Sequence, residues 1–398
     1  MNQPIVVVGA GPAGSALTLY LAQHDIPVIL LEQAAQLPVD LRASTFHPPS
    51  LEMLDRLGVT EKMLAKGLVA DKYQYRDRKT NEVAEFNMQL IADETKFPFR
   101  LQLEQYEMTR IVGDMLKDYP HVEVRFGHKV VGCREVDDGV IVEVENAGGR
   151  SEIHTPILVG SDGASSNVRK GAGIGFGGFT YDEKFLVVST DFAFESVFDN
   201  LAWVNYVSDP DEWCVILRTE KLWRVLIPTE PGDDEATLLS DDFIQSRLRH
   251  LHDKGDSYAI HHRTLYNVHQ RVSETYYKGR IVLAGDACHI NNPLGGMGMN
   301  GGLHDAFNLA ERLVNIVQGG ADIASEFALY DRQRRQLAVD FVQKHTIENK
   351  KLMESSDPDI QKKRQAMLME TAADPVKAKA FLMERAMINC VRESLAVA

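Results

Sequence analysis

Cysteine is scarce in this chain and long apolar runs are absent. The four cysteines, Cys133, Cys214, Cys288 and Cys390, are scattered through 398 residues. There is no Cys-x-x-Cys pair and no His/Cys cluster at ligand spacing, so neither a disulfide framework nor a metal site is expected. No apolar stretch reaches the roughly 20 residues that a membrane-spanning helix needs. Positive charge is also short: 43 Lys and Arg against 57 Asp and Glu leave a net charge of −14, which argues against nucleic acid or an anionic membrane surface as a partner. No basic segment precedes the first apolar run, so that run reads as a buried strand rather than a signal peptide. Internal repeats and low-complexity tracts are lacking. What remains is the profile of a large cytoplasmic enzyme of about two domains with small-molecule partners.

Two glycine-bearing segments stand out, almost the length of the chain apart. The first is Val8-Gly9-Ala10-Gly11-Pro12-Ala13-Gly14. The β-branched run 5–8 suits a buried parallel strand and residues 13–22 suit a helix, so the glycines fall at a strand-to-helix turn. In such a turn Gly9 permits the tight bend, Gly11 lets a pyrophosphate approach the backbone, and Gly14 lets helix and strand pack closely. Residues 27–31 form a second apolar strand ending at Glu32, followed by Gln33, the expected distance onward for an acid that hydrogen-bonds a ribose. An acid there favours an unphosphorylated adenosine ribose, as in FAD or NAD. The second segment runs from Ala284-Gly285-Asp286-Ala287 into Asn292-Pro293-Leu294-Gly295-Gly296-Met297-Gly298-Met299-Asn300. It ends in glycines opening a helix, where backbone amides face an anion or an electron-rich ring.

Between these segments the pattern alternates. Residues 48–57 and 106–116 read as amphipathic helices, and 73–86 as a hairpin. Segments 122–125, 129–136, 140–144 and 152–159 read as strands leading into Gly160-Ser161-Asp162-Gly163. After Gly178, aromatic and β-branched segments at 186–194, 201–207, 213–218 and 222–227 suggest an antiparallel sheet. Residues 241–251 read as a helix and 279–284 as a buried strand. From Ser325 onward the pattern is helical, broken at Asp357-Pro358 and Asp374-Pro375.

The glycine turn, the Gly160-Ser161-Asp162-Gly163 segment with Ser166 and Arg169, and the run Gly279-Arg280-Ile281-Val282-Leu283-Ala284-Gly285-Asp286-Ala287-Cys288-His289 together resemble the three fingerprints of single-component flavin-dependent aromatic hydroxylases. That group is typified by para-hydroxybenzoate hydroxylase and 3-(3-hydroxyphenyl)propionate hydroxylase. The resemblance spans most of the first 340 residues and implies an α/β fold. A Rossmann-like βαβ FAD-binding domain (1–75, 98–177 and 268–345) would be interrupted by a mixed or antiparallel-sheet substrate domain (76–97 and 178–267), with a helical C-terminal tail (346–398). It implies a monooxygenase in which NADH or NADPH reduces FAD, oxygen adds at the flavin C4a position, and the hydroperoxide transfers hydroxyl to an electron-rich phenolic or hydroxypyridine ring, carboxylated or not. No second glycine-bearing βαβ unit is present, so the nicotinamide donor would act transiently. A homodimer stays open.

Carried over residue by residue, the resemblance assigns Gly9, Gly11, Pro12, Ala13, Gly14, Glu32 and Gln33 to the ADP half of FAD. Arg42, with Ala43, matches an arginine at the phosphate or ribose, against the alternative of a solvated surface cation. Gln102 and the Val130 backbone resemble further cofactor contacts. Asp286 matches the aspartate at the ribitol, and Pro293, Gly298, Met299 and Asn300 match the loop and helix start beside the flavin ring. Asp162 and Arg169 match a fingerprint that serves cofactor or donor, yet the same residues make ordinary strand-to-helix capping. For catalysis, His47 is a candidate base, against a role in helix entry. Pro293 and Leu294 would exclude water. Tyr206, Trp203, Arg218 and Arg224 are candidates for orienting substrate, with Trp203 and Tyr206 on opposite faces of one strand and Arg218 alternatively paired with Glu220. His289 reads as structural. Cys288 and Asn292 depart from the pattern, the latter standing where a second proline is common. The remaining alternatives are an FAD-dependent reductase or dehydrogenase without oxygen insertion, and a non-catalytic FAD-binding protein.

Overall fold

Strands Ile5–Val8 and Val28–Glu32 are wholly buried, which fits their unbroken apolar character in a sheet covered on both faces. A computed structural model, describing residues 3–39, 43–209, 211–354 and 357–398, places these strands side by side in a six-stranded sheet. Its order is Tyr277–Lys278, Ile281–Leu283, Leu158–Gly160, Ile5–Val8, Val28–Glu32, Val122–Phe126. All neighbours are parallel except the short outer pair. Helix Pro12–Gln23 follows the glycine turn and packs against the long helix Met297–Val317. Both glycine-bearing segments therefore meet at one end of this sheet.

The expected strand at 152–159 is two strands in two sheets. Gly149–Thr155 completes an antiparallel three-stranded sheet with Gly139–Asn146 and Lys129–Val136. Pro156 lacks the N–H a ladder needs, and the chain then enters the parallel sheet as Leu158–Gly160 with Leu158 opposite Val6.

The second large sheet has eight strands, in the order His289–Ile290, Ile260–Ser273, Phe176–Thr190, Trp223–Pro228, Cys214–Arg218, Val204–Ser208, Lys72–Asp77, Val83–Asn87. Neighbours are antiparallel except Val204–Ser208 against Lys72–Asp77. Two sequence expectations change here. The strand read at 186–194 starts at Phe176 and ends at Thr190, and Phe194 sits in a 3-10 turn. Gly177, Gly178, Asp182 and Glu183 mask the first half of that strand, where its register with the next strand slips between Thr180 and Lys184. Its partner Ile260–Ser273 escaped notice because His, Arg, Asn and Gln interrupt its apolar pattern. It runs through the expected boundary at 267/268.

A small sheet of Thr45–Phe46, Arg100–Gln102 and Leu68–Ala70 joins the two large ones. One face of the eight-stranded sheet is closed by the C-terminal helices Pro358–Ala373 and Pro375–Arg385: Phe381 stacks on Phe86 at 4.5 Å, and Leu382 and Ala386 are buried with Tyr73, Tyr206 and Leu294. Each helix begins with Pro after an Asp whose side chain accepts first-turn N–H groups. That is the capping chemistry that marked the breaks in the sequence.

Candidate active site

At the first turn, Gly9 has φ +99°, and a Cβ there would lie 2.4 Å from the Ser161 carbonyl oxygen. A Cβ on Gly14 would lie 2.0 Å from the Gly9 carbonyl oxygen, so strand and helix touch through their backbones. At Gly11 a Cβ would meet nothing within 4 Å. Pro12 opens the helix, which has no side-chain cap, so first-turn N–H groups beside open space are left for an anion. Glu32 is buried and accepts the Ala10 and Ala34 N–H groups, each at 2.9 Å; these fix the carboxylate at the tip of its strand while each oxygen keeps a second acceptor site. Gln33 is exposed beside it. Arg42 lies outside the described residues; neighbouring Ala43 accepts the Gln105 N–H through its carbonyl.

Asp162 accepts hydrogen bonds from the Ser166 hydroxyl and the Asn167 and Val168 N–H groups. Arg169 donates to the Ala287 and Ala164 carbonyls and lies over the Phe176 ring. This fingerprint thus staples a short helix to the turn Gly285–Ala287 of the late segment. The Val130 carbonyl accepts from Asn167 in the same staple.

The late segment packs directly on the first turn. A Cβ at Gly285 would lie 3.1 Å from Ala13 Cβ, and Gly302 of the long helix is its other neighbour. Asp286, next along, is exposed. Residues 293–296 form a turn closed by the Gly296 N–H donating to the Pro293 carbonyl. Gly296 precedes helix Met297–Val317 with φ +67° and supplies no side-chain cap. The amides around Met297, Gly298 and Met299 are consequently available to negative charge at the positive end of a 21-residue helix. Asn300 is buried and does a different job: its Nδ2 donates to the Thr45 and Gly296 carbonyls, and its Oδ1 accepts the His47 N–H at 2.9 Å. Beside it, Gln102 is fully buried, its Oε1 accepts from Thr45, and its Nε2 donor has no partner. An open anion-binding turn, an uncapped long helix and an orphaned buried donor along one path are the features a long dinucleotide such as FAD fits.

Beyond the turn the site becomes aromatic. His47 is fully buried; its Nε2 donates to the Gly295 carbonyl at 2.8 Å, leaving Nδ1 as an unpartnered acceptor. Burial, reinforced by the nearby Arg100 guanidinium, pulls its pKa down to about 3. The expected role of His47 as a base changes accordingly. Near neutral pH the ring is a weak base, fitted to accept a hydrogen bond and to anchor the loop. Tyr206 stacks on Tyr75 at 4.8 Å and meets Tyr73 edge-on. Arg100 lies 4.1 Å over the Tyr73 ring, with Nη1 at 3.5 Å from the Tyr206 hydroxyl. Leu294 is buried in the same cluster, whereas Pro293 is exposed at its edge.

Arg218 is separated from this group. Tyr206 pairs with Val215, and Arg218 pairs with Trp223; period-2 alternation puts Arg218 on the other face, where it sits 5.8 Å from the Trp223 ring rather than against Glu220. Arg224, opposite Leu217, shares the face of Tyr206 and is held in an ion pair with Glu104. Tyr73, Tyr75 and Arg100 were missed as site residues. A parity signal existed for Arg100, which falls two residues before Gln102 in an otherwise apolar stretch, 97–103.

The two departures from the fingerprint pattern are both absorbed by the core. Cys288 is fully buried. Asn292 is fully buried and accepts the Leu294 N–H, donates to the Thr346 carbonyl, and presents its N–H to Gln270 Oε1. It ties the turn to strand Ile260–Ser273 and to helix Lys344–Glu354. His289 Nε2 donates to Asp305 at 2.7 Å, and Arg334 binds the other Asp305 oxygen at 2.7 Å. Burial opposes the Asp305 charge, yet these two partners hold its pKa below the ordinary value.

A parallel sheet with a glycine turn, a late loop packed on that turn and a buried aromatic cluster beyond define a flavoprotein oxidoreductase. The chain belongs to the FAD-binding domain family, which it matches over residues 2–345, and it is a flavin-dependent aromatic monooxygenase. It is 31% identical over 394 residues to para-nitrophenol 4-monooxygenase of Pseudomonas sp. (strain WBC-3), covering 97% of this chain and 96% of that protein. It is 32% identical over 346 residues to 6-hydroxy-3-succinoylpyridine 3-monooxygenase of Pseudomonas putida (strain DSM 28022 / S16), covering 84% and 85%. The crystal structure of p-nitrophenol 4-monooxygenase from Pseudomonas putida DLL-E4 superposes with a TM-score of 0.92 at 28% identity, covering 98% of both chains. Among the described residues no helix is long and apolar enough to cross a membrane, and no cluster of metal-ligating side chains is present.

Proposed function

We propose that the protein hydroxylates a phenolic or hydroxypyridine ring with NADH or NADPH as electron donor. One oxygen atom of O2 enters the ring, and the other leaves as water with the two electrons and protons supplied by the donor and the medium. The observation that carries this reading is the near full-length similarity to para-nitrophenol 4-monooxygenase; the second relative acts, by its name, on a hydroxypyridine. When bound, FAD supplies the redox chemistry that passes donor electrons to oxygen and oxygen to the ring.

The protein's own residues then have distinct tasks. Gly9, Gly11, Pro12, Ala13, Gly14 and Glu32, with Gln33, Arg42, Ala43, Val130 and Asp162 nearby in sequence or space, would hold the adenosine and pyrophosphate half. Gln102, Asp286, Pro293 and the amides from Gly298 to Asn300 would hold the ribitol and ring half, the helix terminus favouring negative charge there. Tyr206, Tyr73, Tyr75 and Leu294 would enclose the substrate ring and keep water out. His47 Nδ1 is the acceptor available to a substrate hydroxyl.

Work in the cytoplasm is supported by four buried, unpaired cysteines. A homodimer is supported by Ile360, Met367 and Val376, exposed along the C-terminal helices, and sedimentation would test it. The test of function is to purify the yellow protein and screen phenols and hydroxypyridines for acceleration of NAD(P)H oxidation with stoichiometric hydroxylated product. Donor oxidation without oxygen uptake would indicate a reductase instead, and flavin binding without any donor oxidation a non-catalytic flavoprotein.

A further inference from the structure

Arg100 poses a charge problem. It is 3% exposed, yet among the described residues it forms no ion pair with a carboxylate. Among the described residues its side chain's one polar contact is the marginal 3.5 Å approach of Nη1 to the Tyr206 hydroxyl, its Nε has no partner, and it lies against the π face of Tyr73. Other arginines buried to this degree are better satisfied: Arg334 is bound to Asp305, Arg224 to Glu104, and Arg169 donates to the Ala287 and Ala164 carbonyls. A buried guanidinium stays charged and is costly to bury without an anion. Its π contact offsets part of that cost only.

The location of the charge says what completes it. Arg100 lies on strand Arg100–Gln102, two residues before the orphaned Gln102 donor, and projects onto the face shared by Tyr73, Tyr75, Tyr206 and Leu294. Resting on the reading of this pocket as the substrate site, we infer that Arg100 is an anion receptor that selects the ionised form of the substrate, binding the ring's phenolate oxygen. An oxyanion beside it would satisfy both the charge and the free Nε–H. It would also keep the ring electron-rich, as attack by an electrophilic oxygen requires. The groups facing Arg100 do not compete for this role. His47, from the helix entry, is uncharged above about pH 3, burial pushes the hydroxyls of Tyr73 and Tyr75 on strand Lys72–Asp77 upward, and Arg385, from the covering helix, adds positive charge near both.

The inference is tested on the FAD-loaded protein without NAD(P)H, so that binding is read apart from turnover. The probes are 4-nitrophenol, whose phenolate absorbs strongly, its uncharged ether 4-nitroanisole, and 4-nitrobenzoate, which carries its charge on a carboxylate. The expected result is that 4-nitrophenol binds at least about tenfold tighter than 4-nitroanisole, with its bound pKa lowered by about one unit or more. Arg100→Lys should keep that preference in weakened form, and Arg100→Met should abolish it at unchanged flavin content. Equal binding of phenol and ether by the unmodified protein, with an unshifted bound pKa, would overturn the inference even if Arg100→Met failed to fold. So would a preference for 4-nitrobenzoate over 4-nitrophenol, or Arg100 variants that alter the flavin spectrum but not phenol binding. Product analysis with donor and oxygen separates the two claims: hydroxylation without anion preference removes the role of Arg100 and leaves the hydroxylase reading, whereas anion preference without hydroxylation does the reverse.

Discussion

Burial gives His47 a pH signature that can be read in stability. Its pKa of about 3 lies below the usual 6.5, so between these values the unfolded chain binds a proton that the folded protein excludes. Stability from this group is therefore complete above pH 6.5 and declines as pH falls, by roughly 1.4 kcal/mol per unit. His304, hydrogen-bonded to Ser50 and lowered first by its own burial, acts in the same direction. We expect urea unfolding of His47→Asn to lose less stability than the parent between pH 7 and pH 5, by about 2 kcal/mol; parallel losses would show that the ring is not buried neutral. The residue scale is also where sequence reading was weakest. The pairing of Val204–Ser208 with Lys72–Asp77 sets Tyr206 beside Tyr73 and Tyr75, Arg100 arrives from a strand of the small sheet, and no local pattern encodes a parallel pairing across about 130 positions. Arg218 is a candidate by its chemistry alone, and the strand facing that removes it from the aromatic cluster is not written in its neighbours.

At the scale of elements, the glycine turn was legible because its requirements are local: a positive φ at Gly9 and backbone contact at Gly14 leave little choice of residue. Gly14→Ala should force helix Pro12–Gln23 off its strand, since the added methyl would sit 2.0 Å from a carbonyl oxygen. The expected outcome is FAD affinity reduced at least about tenfold and a loss of roughly 1–3 kcal/mol or more of stability, read by flavin fluorescence and thermal unfolding. The late turn depends instead on distant partners. Asn292 departs from the family pattern, and its two buried side-chain hydrogen bonds, to the Thr346 carbonyl and from the Leu294 N–H, supply the rigidity a proline would give. Asn292→Ala leaves the Thr346 carbonyl and the Leu294 N–H short of a partner, at a cost of about 1–3 kcal/mol. It should also raise the fraction of donor electrons ending in hydrogen peroxide. An unchanged ratio of product to peroxide would mean that the turn holds its position without Asn292.

Across the whole molecule, the C-terminal helices pack on the aromatic cluster rather than trailing behind it. Phe381 stacks on Phe86 and meets Tyr75 edge-on, Gln365 donates to the Tyr75 and Glu82 carbonyls, and Lys379 and Arg392 pair with Glu94. Their helical pattern and their Asp-Pro starts were plain in the sequence, but their docking onto the sheet was not, because it is written in scattered aromatic and Met positions. Phe381→Ala should lower stability by about 2–4 kcal/mol and open the aromatic face to water. Product yield per donor consumed should then fall more than flavin content does, as measured by parallel oxygen-uptake and absorbance assays. The central claim is that an FAD held between the opening glycine turn and the late helix inserts oxygen into an aromatic ring beside this aromatic cluster. Its most direct test is turnover of the purified yellow protein under 18O2 with mass analysis of the product. The account predicts one labelled oxygen in the new ring hydroxyl and donor consumption matching product; unlabelled product, or donor oxidation yielding only peroxide with every ring tried, would contradict it.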